Sequence, residues 1–356
     1  MSVFKSALNY FNDTSSVQTN EFVGQVVELG NAKMRVKKQI GEGGFAFVYV
    51  AQEVTSGKYF ALKRLLSSDA DVDRIIRQEI GLLKKLSGHP NVIRYLTAAA
   101  IDKAQSGHGR NEYLVVTELC TGGNLVDVLR LAGRALPADQ VCQIMYQTCK
   151  AVQHMHAQEP PVLHRDLKVE NLLIGDDGLI KLCDFGSATT TMHYPDPSWS
   201  AIQRSLLEDE MSKHTTPMYR APEMLDTWNN YPITTQADVW ALGCVLYLLC
   251  YNRHPFEDSA KLRIINGNFT IPEGDAKYQH FHQLIRGMLK VDPGERMTVT
   301  DALERLVAIG ESFDLPLKEP LHLKGVKIET TNAGGAGAAA PQGSPLPTRA
   351  APQQQQ

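Results

Sequence analysis

The chain has no run of about 18 consecutive apolar residues, the length a membrane-crossing helix needs. Its start, Met1-Ser2-Val3-Phe4-Lys5-Ser6, lacks the apolar core of a signal peptide. Ser2 stands where myristoylation requires glycine. An excess of one charge sign is also missing. The formal net charge is -3 over 356 residues, so no broad basic field calls for nucleic acid or an anionic membrane. Cysteine is scarce: Cys120, Cys142, Cys149, Cys183, Cys244 and Cys250 lie mostly inside apolar, periodic segments. That pattern excludes a disulfide framework and implies reduced thiols in a cytosolic protein. No GxxxxGK[ST] string occurs, which excludes a P-loop. No internal repeat is present. What remains is ordinary globular composition, 43% hydrophobic and 21% charged, enough for one large domain or two lobes.

Residues 1–21 are polar and without period, as expected of a loose tail. Residues 22–29 and 34–40 alternate apolar and polar, and 48–51 and 59–63 follow, joined by the turn Thr55-Ser56-Gly57. Val72, Ile75, Ile76, Leu82, Leu83 and Leu86 predict one helix over 72–86. Residues 91–100 and 113–117 return to strand, with 102–112 as a polar surface loop between them. Beyond Gly122-Gly123 the period becomes helical. Val141, Ile144, Met145, Thr148, Val152 and Met155 mark a helix over 140–157. Residues 235–251 are almost wholly apolar around Trp240 and predict a buried helix, with further amphipathic helices at 281–290 and 299–308. From about Thr330 the chain turns to Ala, Gly, Pro, Ser and Gln, a composition that cannot bury a core. The expected organisation is α+β and bilobal. A tail (1–21) leads into a small β-rich lobe with one helix (22–117), a hinge (118–120), a larger helical lobe (121–318) and a disordered tail (319–356).

The chemistry gathers around His164-Arg165-Asp166-Leu167-Lys168-Val169-Glu170-Asn171, a short polar loop between the apolar runs Pro161-Val162-Leu163 and Leu172-Leu173-Ile174. Such loops on a rigid scaffold display reactive groups. Asp184-Phe185-Gly186 brings a second carboxylate to another strand end. Mg²⁺ takes few protein oxygens together with substrate phosphates and water, a role that Asn171 and Asp184 fit. Asp166 is then free to accept a proton from a hydroxyl nucleophile, and Lys168 to neutralise charge on a transferring phosphoryl group. Gly41-Glu42-Gly43-Gly44-Phe45-Ala46-Phe47-Val48 lies between two strands. Glycines there let backbone N–H groups approach phosphates, although a plain Gly-rich hairpin turn fits equally well. With a strand after it rather than a helix, the loop does not fit a Rossmann site. Glu79 falls within the apolar face of its helix, where a carboxylate is costly unless paired. Lys63, ending Tyr59-Phe60-Ala61-Leu62-Lys63, is the simplest partner; Arg35 and Arg64 are the rivals.

These motifs, in this order, resemble a eukaryotic protein kinase over roughly residues 30–312. Ala221-Pro222-Glu223, Asp238-Val239-Trp240-Ala241-Leu242-Gly243 and Arg296 complete the set. The resemblance implies the bilobal kinase fold, with ATP and Mg²⁺ as cofactors. It implies Asp166, Lys168, Lys63 and Glu79 as catalytic residues, and Asn171 and Asp184 as metal ligands. It implies a nucleotide site of Ile40, Gly41, Gly43, Gly44, Phe45, Ala46, Val48, Ala61, Lys63, Thr117, Glu118, Cys120, Asn171, Cys183 and Asp184, with Thr117 as gatekeeper. A buried Glu223–Arg296 pair, bracing of the catalytic loop by Asp238, and stacking of Leu83, His164 and Phe185 are implied too. The third loop glycine is Ala46, whose methyl is small enough to leave ATP binding intact. Cys183 is either an inert buried thiol, the better-supported reading, or a thiol open to an ATP-site electrophile.

Lys168, two residues after Asp166, resembles the serine/threonine class, and Thr216 falls where that class bonds a threonine to the catalytic Asp and Lys. Thr216 is therefore not expected to be a phosphosite, while Thr215 stays open. The activation segment, 184–223, is long, and 205–213 looks helical. Leu182-Cys183-Asp184-Phe185-Gly186-Ser187-Ala188-Thr189 and Thr215-Thr216-Pro217-Met218-Tyr219-Arg220 are similar to the Numb-associated kinase family. That likeness implies clathrin adaptor medium chains as substrates and clathrin-coat proteins as partners. It also implies a cytoplasmic place on clathrin-coated vesicles, in the perinuclear or trans-Golgi region. The competing readings are a catalytically weak scaffold and a small-molecule or lipid kinase. Ala221-Pro222-Glu223 and the threonine before it argue for a protein substrate over the latter.

Overall fold

In the computed structural model, residues 22–43, 46–323 and 328 are described. Six strands form one antiparallel sheet: β1 (Val26–Leu29), β2 (Ala32–Glu42), β3 (Ala46–Glu53), β4 (Tyr59–Ser67), β5 (Tyr95–Ile101) and β6 (Asn111–Glu118), in the order β1-β2-β3-β4-β6-β5. Successive side chains of a strand point to opposite faces. On one face Leu62, Leu114 and Val116 close a cluster with Phe22, Met34, Val36 and Tyr49. On the other, Leu65, Tyr113 and Val115 join the main core.

The helix α1 (Ala70–Leu86) covers that second face. Asp69 caps it, accepting from the Asp71 and Val72 N–H groups, and Lys84 and Lys85 occupy its last turn. Its buried stripe is Ile76, Glu79, Leu82, Leu83 and Leu86. Ile75, expected on that stripe, is 39% exposed. Neighbouring helical positions lie about 100° apart, so Ile75 and Ile76 cannot both centre on the core.

The second region holds α2 (Leu125–Ala132), α3 (Ala138–His156), the hairpin β7 (Leu172–Ile174) and β8 (Ile180–Leu182), α4 (Ala201–His214), α5 (Pro222–Leu225), α6 (Gln236–Tyr251), α7 (Lys261–Ile265), α8 (His282–Met288) and α9 (Val299–Ser312). The helix α6 is buried along nearly its whole length and Trp240 is fully enclosed, as its composition predicts.

The described structure departs from the sequence expectation at four further places. Residues 22–24 form a turn, with Phe22 packed on Tyr49 and the Arg64 guanidinium 4.3 Å from its ring centroid. Residues 91–94 are not a strand of the large sheet. Instead Leu182 N–H donates to Asn91 O (2.8 Å) and Ile93 N–H to Leu182 O (2.9 Å), stitching the sheet side to β8. Glu112, expected on a surface loop, is buried in β6, where it accepts from Arg64 Nε at 2.7 Å. A glutamate reads as solvent-facing until its cation is known, and that cation comes from a neighbouring strand.

The fourth departure is the tail expected from 319. Leu321 is buried and its N–H donates to Gly178 O (2.9 Å), Gln147 Nε2 donates to Glu319 O (3.0 Å), and Ile328 N–H reaches Thr121 O (2.9 Å). Leu315, Leu317, Leu321 and Leu323 are broken up by Pro316 and Pro320, so no sustained strand or helix period marks their packing. The expected tail 1–21 and residues 329–356 lie outside the described residues, as do 324–327. Among the described residues no helix is long and apolar enough to cross a membrane.

Candidate active site

Lys63 stands on β4 opposite Val48 of β3 and Val115 of β6, so the sheet aims its amine beneath the β2–β3 turn. Its Nζ lies 2.5 Å from Glu79 Oε1 and 3.4 Å from Asp184 Oδ1. The rival partner Arg64 is committed to Glu112. Burial alone would pull the Lys63 ammonium down, but the Glu79 and Asp184 carboxylates outweigh it and hold its pKa above the ordinary lysine value. The same Lys63 charge holds the Asp184 carboxyl below the ordinary carboxylate range, so this acid stays ionised. Gly186 completes the junction. A Cβ there would lie 3.3 Å from Asp184 Oδ1 and 3.4 Å from Glu79 Oε2, crowding the two carboxylates that share Lys63.

The β2–β3 turn has an informative geometry. Gly43 N–H donates to Ala46 O at 2.7 Å. A Cβ on Gly41 would make only ordinary contact with Val48, at 3.4 Å, and one on Gly43 would meet nothing nearer than Ala46 O at 3.9 Å. Neither residue has a positive φ. The protein's own packing therefore tolerates a Cβ at both positions. Gly44 and Phe45 lie outside the described residues. Below the turn, Ala61 stands opposite Thr117 across β4 and β6. The Thr117 hydroxyl donates to Glu118 O at 3.2 Å, and the Glu118 carboxylate accepts from Arg94 N–H at 2.7 Å. Cys120 is buried, and burial pushes its thiol well up. Ile40 is on β2, two residues before Glu42 at the strand's end.

The loop 164–171 is fixed from behind. Asp238, fully buried near the start of α6, accepts from the N–H groups of His164 (2.8 Å) and Arg165 (2.9 Å), and its Oδ2 lies 2.9 Å from His156 Nε2. Arg165 has φ +67° and Asp184 has φ +61°, left-handed conformations uncommon for residues with a side chain. Such strain persists where surrounding contacts enforce it, as these do. Asp166 is buried. Lys168 Nζ lies 2.6 Å from its Oδ2, and the Thr216 hydroxyl donates to its Oδ1 at 2.6 Å while also accepting from Lys168 at 2.9 Å. Asn171 Nδ2 donates to Asp166 O (2.8 Å), and Cys183 N–H donates to Asn171 O (3.0 Å). The second contact puts Asn171 directly beside the residue preceding Asp184. His164 and Phe185 rings pack at 5.4 Å between centroids, and Leu83 belongs to the same buried core.

The donor set fits a magnesium–nucleotide pair. Among the described residues no group of three His, Cys, Asp or Glu side chains could cage a metal on its own. One ionised aspartate beside one amide is the sparse oxygen set that suits Mg²⁺ bridged to phosphates. A cavity of about 520 Å³ lined by His89, Lys150 and His154 lies elsewhere and contains none of these residues.

Sequence reasoning gave no role to Glu210, which reaches Arg165 across the activation segment (3.0 Å), or to His156 behind Asp238. Glu210 adjoins the buried face of α4, Arg204, Leu207 and Met211. Its own side chain stays 43% exposed, so that spacing does not single it out.

Residues 34–307 match the protein kinase domain family. The chain is 37% identical over 287 residues to a probable serine/threonine-protein kinase of Dictyostelium discoideum, an alignment covering 80% of this chain and 25% of that protein. A second protein of that description from the same organism is 35% identical over 80% of this chain and 35% of its own length. The serine/threonine-protein kinase ppk30 of Schizosaccharomyces pombe is 32% identical over 87% of this chain and 32% of its own length. The chain belongs to the protein kinase family and carries a kinase domain of the serine/threonine type. It spans about a quarter to a third of the length of these relatives.

Proposed function

We propose that the chain transfers the γ-phosphate of ATP to serine or threonine hydroxyls of proteins. The observation that carries this reading is the single connected junction of Lys63, Glu79 and Asp184 facing the Asp166–Lys168–Thr216 triad. Lys63, held by Glu79, orients the α- and β-phosphates. The turn from β2 to β3, without side chains at Gly41 and Gly43, brings backbone N–H groups to the phosphates, with Ala46 and Val48 at the start of β3 beside it. Ile40, Ala61, Thr117 and Cys183 line the base, and Glu118 and Cys120 present backbone groups to adenine. Mg²⁺, when bound with ATP at Asn171 and Asp184, supplies charge neutralisation on the phosphates. Asp166 accepts the proton of the attacking hydroxyl, and Lys168 places positive charge beside the phosphoryl group in transit. Positioning and fixed charge account for most of the rate. The test is Mg·ATP-dependent labelling of a threonine peptide against a Lys63→Ala control. Labelling no greater than the control would leave a scaffold of kinase fold instead.

We further propose that the substrate is a clathrin adaptor medium chain and that the chain works with clathrin-coat proteins at cytoplasmic coated vesicles. What supports this is likeness to the Numb-associated kinase family, with strings that resemble cyclin-G-associated kinase and, as second choice, adaptor-associated kinase. The helix α4, built into the activation segment and held by a Ser200–Gln203 capping box, agrees with that family. Phosphorylation of a purified medium chain with site mapping tests it, and a chain left unlabelled while a generic peptide is labelled sinks it.

A further inference from the structure

Asp166 and its neighbour Arg165 are joined by one peptide bond, yet the guanidinium of Arg165 points away from the triad into the activation segment. Its side chain is 8% exposed. Its Nε donates to Ser187 O at 2.6 Å, just past Gly186, and one terminal nitrogen donates to Glu210 Oε1 at 3.0 Å, on the last turns of α4. Its backbone N–H is gripped by Asp238 at 2.9 Å, and its φ is +67°. Arg165 is thus tied at three points, with the residue before Asp166 held in a conformation a side chain rarely adopts.

The surroundings make the acid at 210 matter. His193 and His214, from opposite ends of the segment, both feel this pair. Burial lowers the pKa of each imidazole, the Arg165 charge lowers it further, and Glu210 opposes both effects. With both imidazoles neutral at neutral pH, neither repels the guanidinium and neither supplies the negative charge that the carboxylate does. A buried guanidinium that loses its acid partner either drags its surroundings toward solvent or stays uncompensated. The surroundings here are the backbone of Asp166 on one side and Ser187 on the other.

We infer that Glu210 is a positioning residue for phosphoryl transfer, acting through Arg165 to hold the Asp166 backbone in register with the 184–187 turn. The inference rests on the kinase reading above. Charge that loop-ordering in kinases commonly draws from an added phosphate is supplied here by a carboxylate of the chain itself. Docking of α4 and geometry of the catalytic loop are then one event.

The test is a double-mutant cycle with Glu210→Ala and Arg165→Met, reading kcat, the KM for ATP and hydrogen exchange of peptides covering 162–172. Glu210→Ala is expected to lower kcat about tenfold in the Arg165 background, as loss of one charged hydrogen bond implies. The KM for ATP should change by less than about twofold, and Glu210→Gln, which still accepts a hydrogen bond, should fall between. In the Arg165→Met background Glu210→Ala should change kcat by less than about twofold, the signature of coupled residues. Exchange at 162–172 should rise in Glu210→Ala and stay unchanged at 299–312. Equal losses in both backgrounds, or unchanged exchange at 162–172, overturn the inference. Should the unsubstituted protein transfer no phosphate, the kinase reading fails, while the exchange comparison still decides whether Glu210 holds the loop.

Discussion

The hydroxyl of Thr216 donates to Asp166 Oδ1 at 2.6 Å, and Lys168 Nζ lies 2.6 Å from the other carboxylate oxygen. The 3₁₀ turn of residues 217–219 and the catalytic loop therefore meet at the atom assigned to take the substrate proton. Thr216→Val keeps the shape and removes the donor. A hydrogen bond to a charged group contributes about 1.5–3 kcal/mol, so kcat should drop roughly ten- to a hundredfold with the KM for ATP unchanged. Thr216→Ser should restore most of it. Steady-state kinetics on a peptide substrate checks both.

The acid limb of stability follows from Asp184. Its folded pKa lies below the unfolded value because Lys63 stabilises the carboxylate. The stabilisation is therefore complete above the unfolded carboxyl pKa of about 4, and is lost as pH falls through the lower folded value. Asp184→Asn removes this dependence. The melting temperature of the unsubstituted protein should exceed that of Asp184→Asn at pH 7, and the gap should shrink steadily below about pH 4. A gap independent of pH would show that Lys63 does not hold the carboxylate.

How much of this was legible in the sequence differs by residue. Lys63 and Glu79 could be paired from sequence because a carboxylate on an apolar helical stripe demands a cation, and the structure pairs them at 2.5 Å. The bonding of Thr216 to Asp166 and Lys168 came from motif likeness alone, since nothing local links residues 168 and 216, 48 apart. Glu112 and Leu321 were misread because neither carries a local signal of its burial: one is a charge, the other lies in a leucine-containing stretch broken by Pro316 and Pro320. In both cases the determining partner, Arg64 or Gly178, is distant in sequence. Glu210 escaped for the same reason. Its helix was visible, whereas the guanidinium it meets belongs to a loop whose other members were already given roles.

Glu223 and Arg296 form an ion pair whose side chains have no exposure, at 2.7 and 2.9 Å. Arg296 also donates to the carbonyls of Gln236, Lys290 and Val291, so every direction of the guanidinium fork is used. Breaking a buried pair from one side costs about 3–5 kcal/mol. Arg296→Met, which strands the Glu223 carboxylate, should lower stability in urea by that amount. The paired change Glu223→Gln with Arg296→Met should lower it less.

Burial pushes the thiol of Cys183 up to about 12 and that of Cys149 up to about 12. The thiolate is the reactive form, so both are almost entirely protonated at neutral pH. An ATP-site electrophile should leave Cys183 unmodified over hours at pH 7.5, by mass spectrometry of the intact protein and its peptides. An adduct at Cys183 would mean that a nearby cation, Lys63 or Lys168, lowers its pKa more than burial raises it.

The end of the folded region lies beyond residue 318. Leu321 is 5% exposed, its N–H donates to Gly178 O, and Gln147 binds the carbonyls of Leu317 (3.3 Å) and Glu319 (3.0 Å). Gln147 is itself buried in α3, and its Oε1 accepts from Ile180 N–H at 2.9 Å on β8. The segment 317–321 thus closes over the back of the β7–β8 hairpin, whose front edge leads into Cys183 and Asp184. Truncation after 318 exposes that hairpin and frees one amide donor of Gln147. Burying a leucine contributes about 1.5–3 kcal/mol, so truncation should destabilise by about that much. Leu321→Ala alone should reproduce most of the loss, and truncation after 323, which keeps Leu321 but removes the Ile328 N–H to Thr121 O contact, should cost less than truncation after 318. If the 318 and 323 truncations unfold at the same urea concentration, the segment is not part of the folded unit.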